Sequence, residues 1–125
     1  MERDAKWAEV HAAMTTMWTS RRAEFIDWMD GRLAEMAAVA GRFNIPIGNT
    51  EGWGAINWCD HPSFTWDLIK DAGEICAHLG VKHGFVFNCT SNFNHPYFGL
   101  WQDIAWHRKV TGIIKQGKAT SCRRM

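Results

Sequence analysis

Hydrophobic and polar positions alternate with two different periods along the chain. From Arg21 to Ala40, apolar side chains fall at Phe25, Met29, Leu33, Met36, Ala37 and Ala40, the three- and four-residue spacing of one helical face. Ser20 is placed to cap the start of this helix and Gly41 to end it. An earlier stretch, Asp4 to Met17, repeats the helical period with Trp7, Val10, Met14 and Met17. The period then shortens. In "FNIPIGNTE" Ile45 and Ile47 stand two apart between Gly41 and the glycines at 52 and 54, which predicts a strand. Pro46 lacks a backbone donor and assigns that strand to an edge or a strand start.

Pro62 and Ser63 open a second helix, "SFTWDLIKDAGEICAHL", with an apolar row of Leu68, Ala72, Ile75, Cys76 and Leu79 and a stop at Gly80. "VKHGFVFNCT" follows as a second strand. Its apolar middle, Phe85 to Phe87, suits a parallel strand covered on both faces. After the loop "SNFNHPYFG", Ile104, Val110, Ile113 and Ile114 mark a third helix that ends at Gly117. The order is helix, strand, helix, strand, helix, so the fold class is α/β. Each strand-to-helix loop is longer and richer in polar and aromatic side chains than each helix-to-strand turn. In parallel α/β folds, binding and chemistry gather at the carboxyl ends of the strands. That rule places Glu51, Trp53 and Trp58 beside Ser91, Asn92 and His95.

Two parallel strands leave unpaired edges and cover only part of a core. A whole (β/α)8 barrel needs about 250 residues. The expectation is a partial (β/α)8 TIM barrel contributing its last two strands and their flanking helices, with the amino-terminal part of the barrel supplied elsewhere. A small self-contained domain, completed by a strand before Ser20, is the alternative. The expected division is a helical segment over 1–19, the barrel part over 20–117 and a polar tail over 118–125.

Composition narrows the choice of partners. Fourteen Lys and Arg against thirteen Asp and Glu leave a formal charge of +1, which gives no basic footprint for nucleic acid or an anionic membrane. The amino-terminal residues mix both charges and lack the apolar core of a signal peptide, so the expected location is the cytoplasm. Four cysteines without a Cys-x-x-Cys pair read as reduced thiols, and Asp60 beside His61 does not make a metal site; no cofactor or metal is expected. Eight tryptophans are the compositional anomaly. Their broad apolar faces serve a core, an interface or a platform for sugar rings.

Glu51 ends an apolar strand among glycines and tryptophans, where a carboxylate is either a working group or half of a structural ion pair. Asn49, two residues earlier, shares its strand face. Trp53 and Trp58 offer stacking faces or fill the core. Asn92 and His95 can bind sugar hydroxyls or cap the last helix. Asp60 and Asp103 sit at helix starts, where the dipole gives an acid a structural role. Asn88-Cys89-Thr90 fits a glycosylation sequon whose strand position would bury the acceptor.

At "IPIGNTEGWG" and "KHGFVFNCTSNFNHPYFGLWQDIAWH" the chain resembles the terminal strands of cellulase-like proteins in the large clan of (β/α)8 glycoside hydrolases, over about Ser20 to Gly117. The resemblance implies a carbohydrate substrate and places Glu51 as the nucleophilic carboxylate at the end of the seventh strand. It also implies an acid/base glutamate at the end of the fourth strand, which has no counterpart here. A non-catalytic carbohydrate-binding protein, and a structural fragment without independent activity, are the competing expectations.

Overall fold

The computed structural model describes residues 2–50, 61–89 and 99–121. Helix α1 spans Glu2–Phe43, strand β1 Gly48–Asn49, helix α2 Asp67–Lys82, strand β2 Phe87–Asn88 and helix α3 Ile104–Ser121, with a 3-10 turn at Gly99–Gln102 before α3. The two strands are parallel, with Gly48 opposite Phe87 and Asn49 opposite Asn88. The β1–α2–β2 order is therefore a parallel crossover unit, and the chain is α/β as expected.

The two helices expected before β1 are one. Ser20 is no cap: it lies inside α1, where its hydroxyl donates back to the Met17 carbonyl at 3.0 Å. Packing across the middle of α1 overrides the local stop signal, because Trp18 and Arg22 on either side of Ser20 both bond Asp71 of α2. None of the described helices is long and apolar enough to cross a membrane.

The expected glycine stops also move. At the end of α1, Asn44 adopts a left-handed φ of 51°; its N–H donates to the Gly41 carbonyl and the Ile45 N–H to the Ala40 carbonyl. That pair of bonds is a Schellman closure with asparagine in the left-handed position. Helix α2 closes the same way. Gly84 takes φ 76° and donates to the Val81 carbonyl, while the Phe85 N–H donates to the Gly80 carbonyl. Gly80 and Gly117 instead provide space within helices: a Cβ on Gly117 would lie 3.1 Å from Val81 Cγ2, and one on Gly80 would lie 2.9 Å from Asn88 Nδ2. Helix α3 runs past Gly117 to Ser121. At its start, α2 begins four residues later than Ser63, after a turn in which the Phe64 N–H bonds the His61 carbonyl at 2.8 Å.

Helix α2 is the centre of the fold. One side packs with α3 through Ile69, Ala77, Leu100, Trp106, Val110 and Ile113. The other side, with Cys76 and Leu79, meets Leu33 of α1 and Phe85 before β2, flanked by Phe25, Met29 and Ile47. Burying a side chain such as Leu33 or Ile69 contributes roughly 2 kcal/mol. Polar bonds fix the helix registers. Arg22 grips Asp71 at 2.6 and 2.9 Å, Lys82 and His83 share Asp30, and Lys109 reaches Glu74 at 2.6 Å. Since Trp18 and Arg22 meet Asp71 while Asp30 meets Lys82 and His83, α1 and α2 run parallel.

The second strand is shorter than expected, because Val81 and Lys82 finish α2. Nor is it covered on both faces: Phe85 is buried, but Phe87 is 43% exposed. Its ring instead lies against Gly48, where a Cβ would clash with three of the ring carbons.

Candidate functional site at the carboxyl end of the strands

Beyond Gly48 and Phe87 the two strands are tied by a polar clasp. The Asn49 side-chain amide donates to Asn88 Oδ1 at 3.3 Å and to the Cys89 carbonyl at 3.2 Å. In return, the Cys89 N–H donates to the Asn49 carbonyl at 2.9 Å. Asn49, expected as a sugar ligand, thus spends its amide donors on holding the ends of β1 and β2 together, two residues before Glu51. Asn88 was not foreseen as its partner. The pairing is non-local, and no spacing within either strand announces it. Gly80 belongs to the same arrangement, since the Asn88 amide occupies the place of its missing Cβ. Glu51, Trp53, Trp58, Asn92 and His95 lie outside the described residues, as does Asp60.

Residues 61–65 pack against the first turns of α1. Ser63 N–H donates to His61 Nδ1 at 3.2 Å, and the opposite ring nitrogen, Nε2, lies 3.1 Å from the Asp4 carboxylate. His61 is thereby anchored with both ring nitrogens engaged. Trp7 packs edge-on against Phe64 with centroids 5.4 Å apart, and His11 does the same at 5.5 Å. His11 also contacts the Thr65 hydroxyl at 3.3 Å. These contacts hold residues 61–65 against the amino-terminal turns of α1.

A general acid in a glycosidase needs a raised carboxyl pKa. The four described carboxyls with a perturbed pKa all move the other way. Asp4 is lowered by its bond to His61, Asp30 by Lys82 and His83, and Asp71 by Arg22 and Trp18. Asp103 is lowered by Lys70 and by the Trp106 N–H, which it caps at 3.0 Å. Its expected helix-start role is thereby met: the same carboxylate joins α3 to α2. Each of these acids is poised as a structural anion. No cluster of three metal-ligating side chains occurs among the described residues.

Against known proteins, residues 3–115 match the model of a family described as "Cellulase-like: Sugar-binding cellulase-like". The fold is similar to the crystal structure of a protein from Parabacteroides distasonis ATCC 8503 named for a supposed glycoside hydrolase activity, with a TM-score of 0.73 and 32% sequence identity. That alignment covers 84% of this chain and 28% of the other. No match was found among curated proteins. With a parallel β–α–β unit, a polar clasp at its carboxyl end and a family match over nearly its whole length, the chain belongs to the sugar-binding cellulase-like family.

Proposed function

We propose that this chain supplies the carboxyl-terminal part of a (β/α)8 glycoside hydrolase barrel and that Glu51 is its nucleophilic carboxylate. The observation that carries the reading is the Asn49–Asn88–Cys89 clasp, which fixes the strand end two residues before Glu51 in a chain of this family. In an extended strand, residues 49 and 51 project from the same face. A retaining glycosidase places two carboxyls about 5 to 5.5 Å apart, one attacking the anomeric carbon and one protonating the leaving oxygen. The lowered pKa values of Asp4, Asp30, Asp71 and Asp103 leave these four unsuited to the second role, which falls to a glutamate on another strand of the completed barrel. Trp53 and Trp58 supply stacking faces for the sugar, and Asn92 and His95 bind its hydroxyls. These 125 residues alone hold half of the two-carboxylate device and are inactive by themselves.

Incubating the complete protein with a 2-deoxy-2-fluoro glycoside that carries an activated leaving group tests the assignment. Mass spectrometry is expected to find one sugar bonded to the peptide containing Glu51. A label on a different carboxylate, or hydrolysis without any trapped sugar, would refute the role given to Glu51.

A second reading, carbohydrate binding without hydrolysis, is favoured by one observation: every perturbed carboxyl described is an anion committed to a cationic or hydrogen-bonding partner. In that case the complete protein binds a glycan and neither cleaves nor traps it.

A further inference from the structure

Trp101 is firmly held by the fold and left in the open. It stands in the 3-10 turn Gly99–Gln102 and is 45% exposed, although Leu100 before it and Trp106 after it are both buried. Burying an indole is among the larger apolar gains open to a chain, so an exposed one on a well-anchored turn calls for a cause other than stability. The anchoring is dense. Leu100 packs with Ile69 of α2 and Val110 of α3, and its carbonyl accepts from the Asp103 N–H at 3.1 Å and from His107 Nε2 at 2.9 Å. Asp103 in turn caps the Trp106 N–H and pairs with Lys70 at 2.5 Å. The His107 ring meets the indole edge-on, with centroids 6.1 Å and planes 61° apart. Two contacts fix where this turn lies. Asp103 meets Lys70 near the start of α2, and Gly117 of α3 packs on Val81 near the end of α2, so the two helices run parallel and begin at the same end of the fold. In a parallel β–α–β unit that is the end where the strands finish and ligands bind. Trp101 therefore stands at the same end of the fold as the Asn49–Asn88 clasp.

We propose that Trp101, with the His107 ring beside it, is a stacking platform for one pyranose unit of a neutral glycan. A pyranose presents an apolar face of C–H groups to an aromatic ring and hydroxyls at its rim. The turn offers a partner for each: the flat indole of Trp101, and the exposed side-chain amide of Gln102, which both donates and accepts. None of the four residues of the turn carries a charge, which suits a neutral sugar better than an anionic one. Because Leu100, Asp103 and His107 already fix the turn, little conformational freedom is lost when a sugar settles on it. The membership of the chain in a sugar-binding family names the same class of occupant.

The platform rests on the carbohydrate reading but not on the chemistry assigned to Glu51, and its test separates the two. Titration calorimetry of the complete protein is run against soluble oligosaccharides cut from cellulose, xylan, mannan and laminarin. For the oligosaccharide that the parent binds best, Trp101→Ala is expected to weaken affinity by about tenfold or more, and Trp101→Phe, which keeps a smaller ring, by less. Trp28→Ala removes an exposed indole from the middle of α1 and is expected to bind like the parent. All three variants should melt with the parent, since neither indole is part of the buried core. Equal affinity of Trp101→Ala and the parent would overturn the platform and leave the role of Glu51 standing. Unchanged affinity with a lowered melting point would overturn it as well, by showing that Trp101 packs against another part of the complete chain. A parent that binds no oligosaccharide of the set would overturn the platform together with the carbohydrate reading. Binding that depends on Trp101 in a protein without turnover would support the platform and count against the catalytic reading.

Discussion

Gly80→Ala separates the stability of the fold from the geometry of the candidate site. Residue 80 is inside α2, where alanine is favoured over glycine by about 1 kcal/mol. The new Cβ would lie 2.9 Å from Asn88 Nδ2 and at an ordinary 3.7 Å from Phe85 Cγ. The only close atom is the end of a side chain that can rotate, so the Asn88 amide turns away and its 3.3 Å bond from Asn49 is lost. A side-chain hydrogen bond of this kind contributes about 1 kcal/mol. Gain and loss nearly cancel, and urea unfolding should place the variant within about 1 kcal/mol of the parent. NMR should nevertheless show faster exchange of the Asn49 side-chain amide protons and a shifted Cys89 N–H, and sugar affinity in the complete protein should fall. A variant destabilised by more than about 2 kcal/mol would refute the reasoning, because it would mean that backbone or core had to move. An unchanged Asn49 amide would refute it equally.

Gly84→Ala has the opposite balance: nothing crowds the new methyl, but φ is 76°, so a loss of roughly 1 to 2 kcal/mol in thermal or urea unfolding is expected. Asp71, lowered from 3.8 by Arg22 and Trp18, contributes stability that is present above about pH 4 and lost as the pH falls through its folded value; Asp71→Asn should flatten that acid limb in melting curves. The Cys76 thiol, fully buried and pushed up to about 12, should resist iodoacetamide at pH 8 in the folded chain and react after unfolding in urea.

The helical periods reported the core-facing rows only in part: Met17, Met36 and Ile104, expected on those rows, are 57%, 49% and 53% exposed. Leu33, Cys76 and Val110 of those rows are buried, and so is Ile69, which the expected row of α2 left out. Helix ends were less legible. Gly41 and Gly80 look like stops, yet the chain turns at Asn44 and Gly84, where an apolar residue follows the left-handed position and the closing bonds form. Gly80 and Gly117 are glycines because Asn88 and Val81 press on them, a cause that lies on other elements. Ser20 misleads similarly, since the grip of Trp18 and Arg22 on Asp71 keeps the helix continuous across it. At the site, the position of Asn49 at a strand end could be read locally. Its partnership with Asn88, 39 residues away, depends on the register of the two parallel strands, which no spacing within either strand reports.

The most direct test of the account is Glu51→Gln in the complete protein, with turnover and glycan affinity measured on the same preparation. Removing the nucleophile while keeping its shape is predicted to lower kcat by a factor on the order of a thousand or more and to leave sugar affinity within a few fold. Turnover that survives the substitution would contradict the assignment of Glu51 and with it the site built around the end of β1.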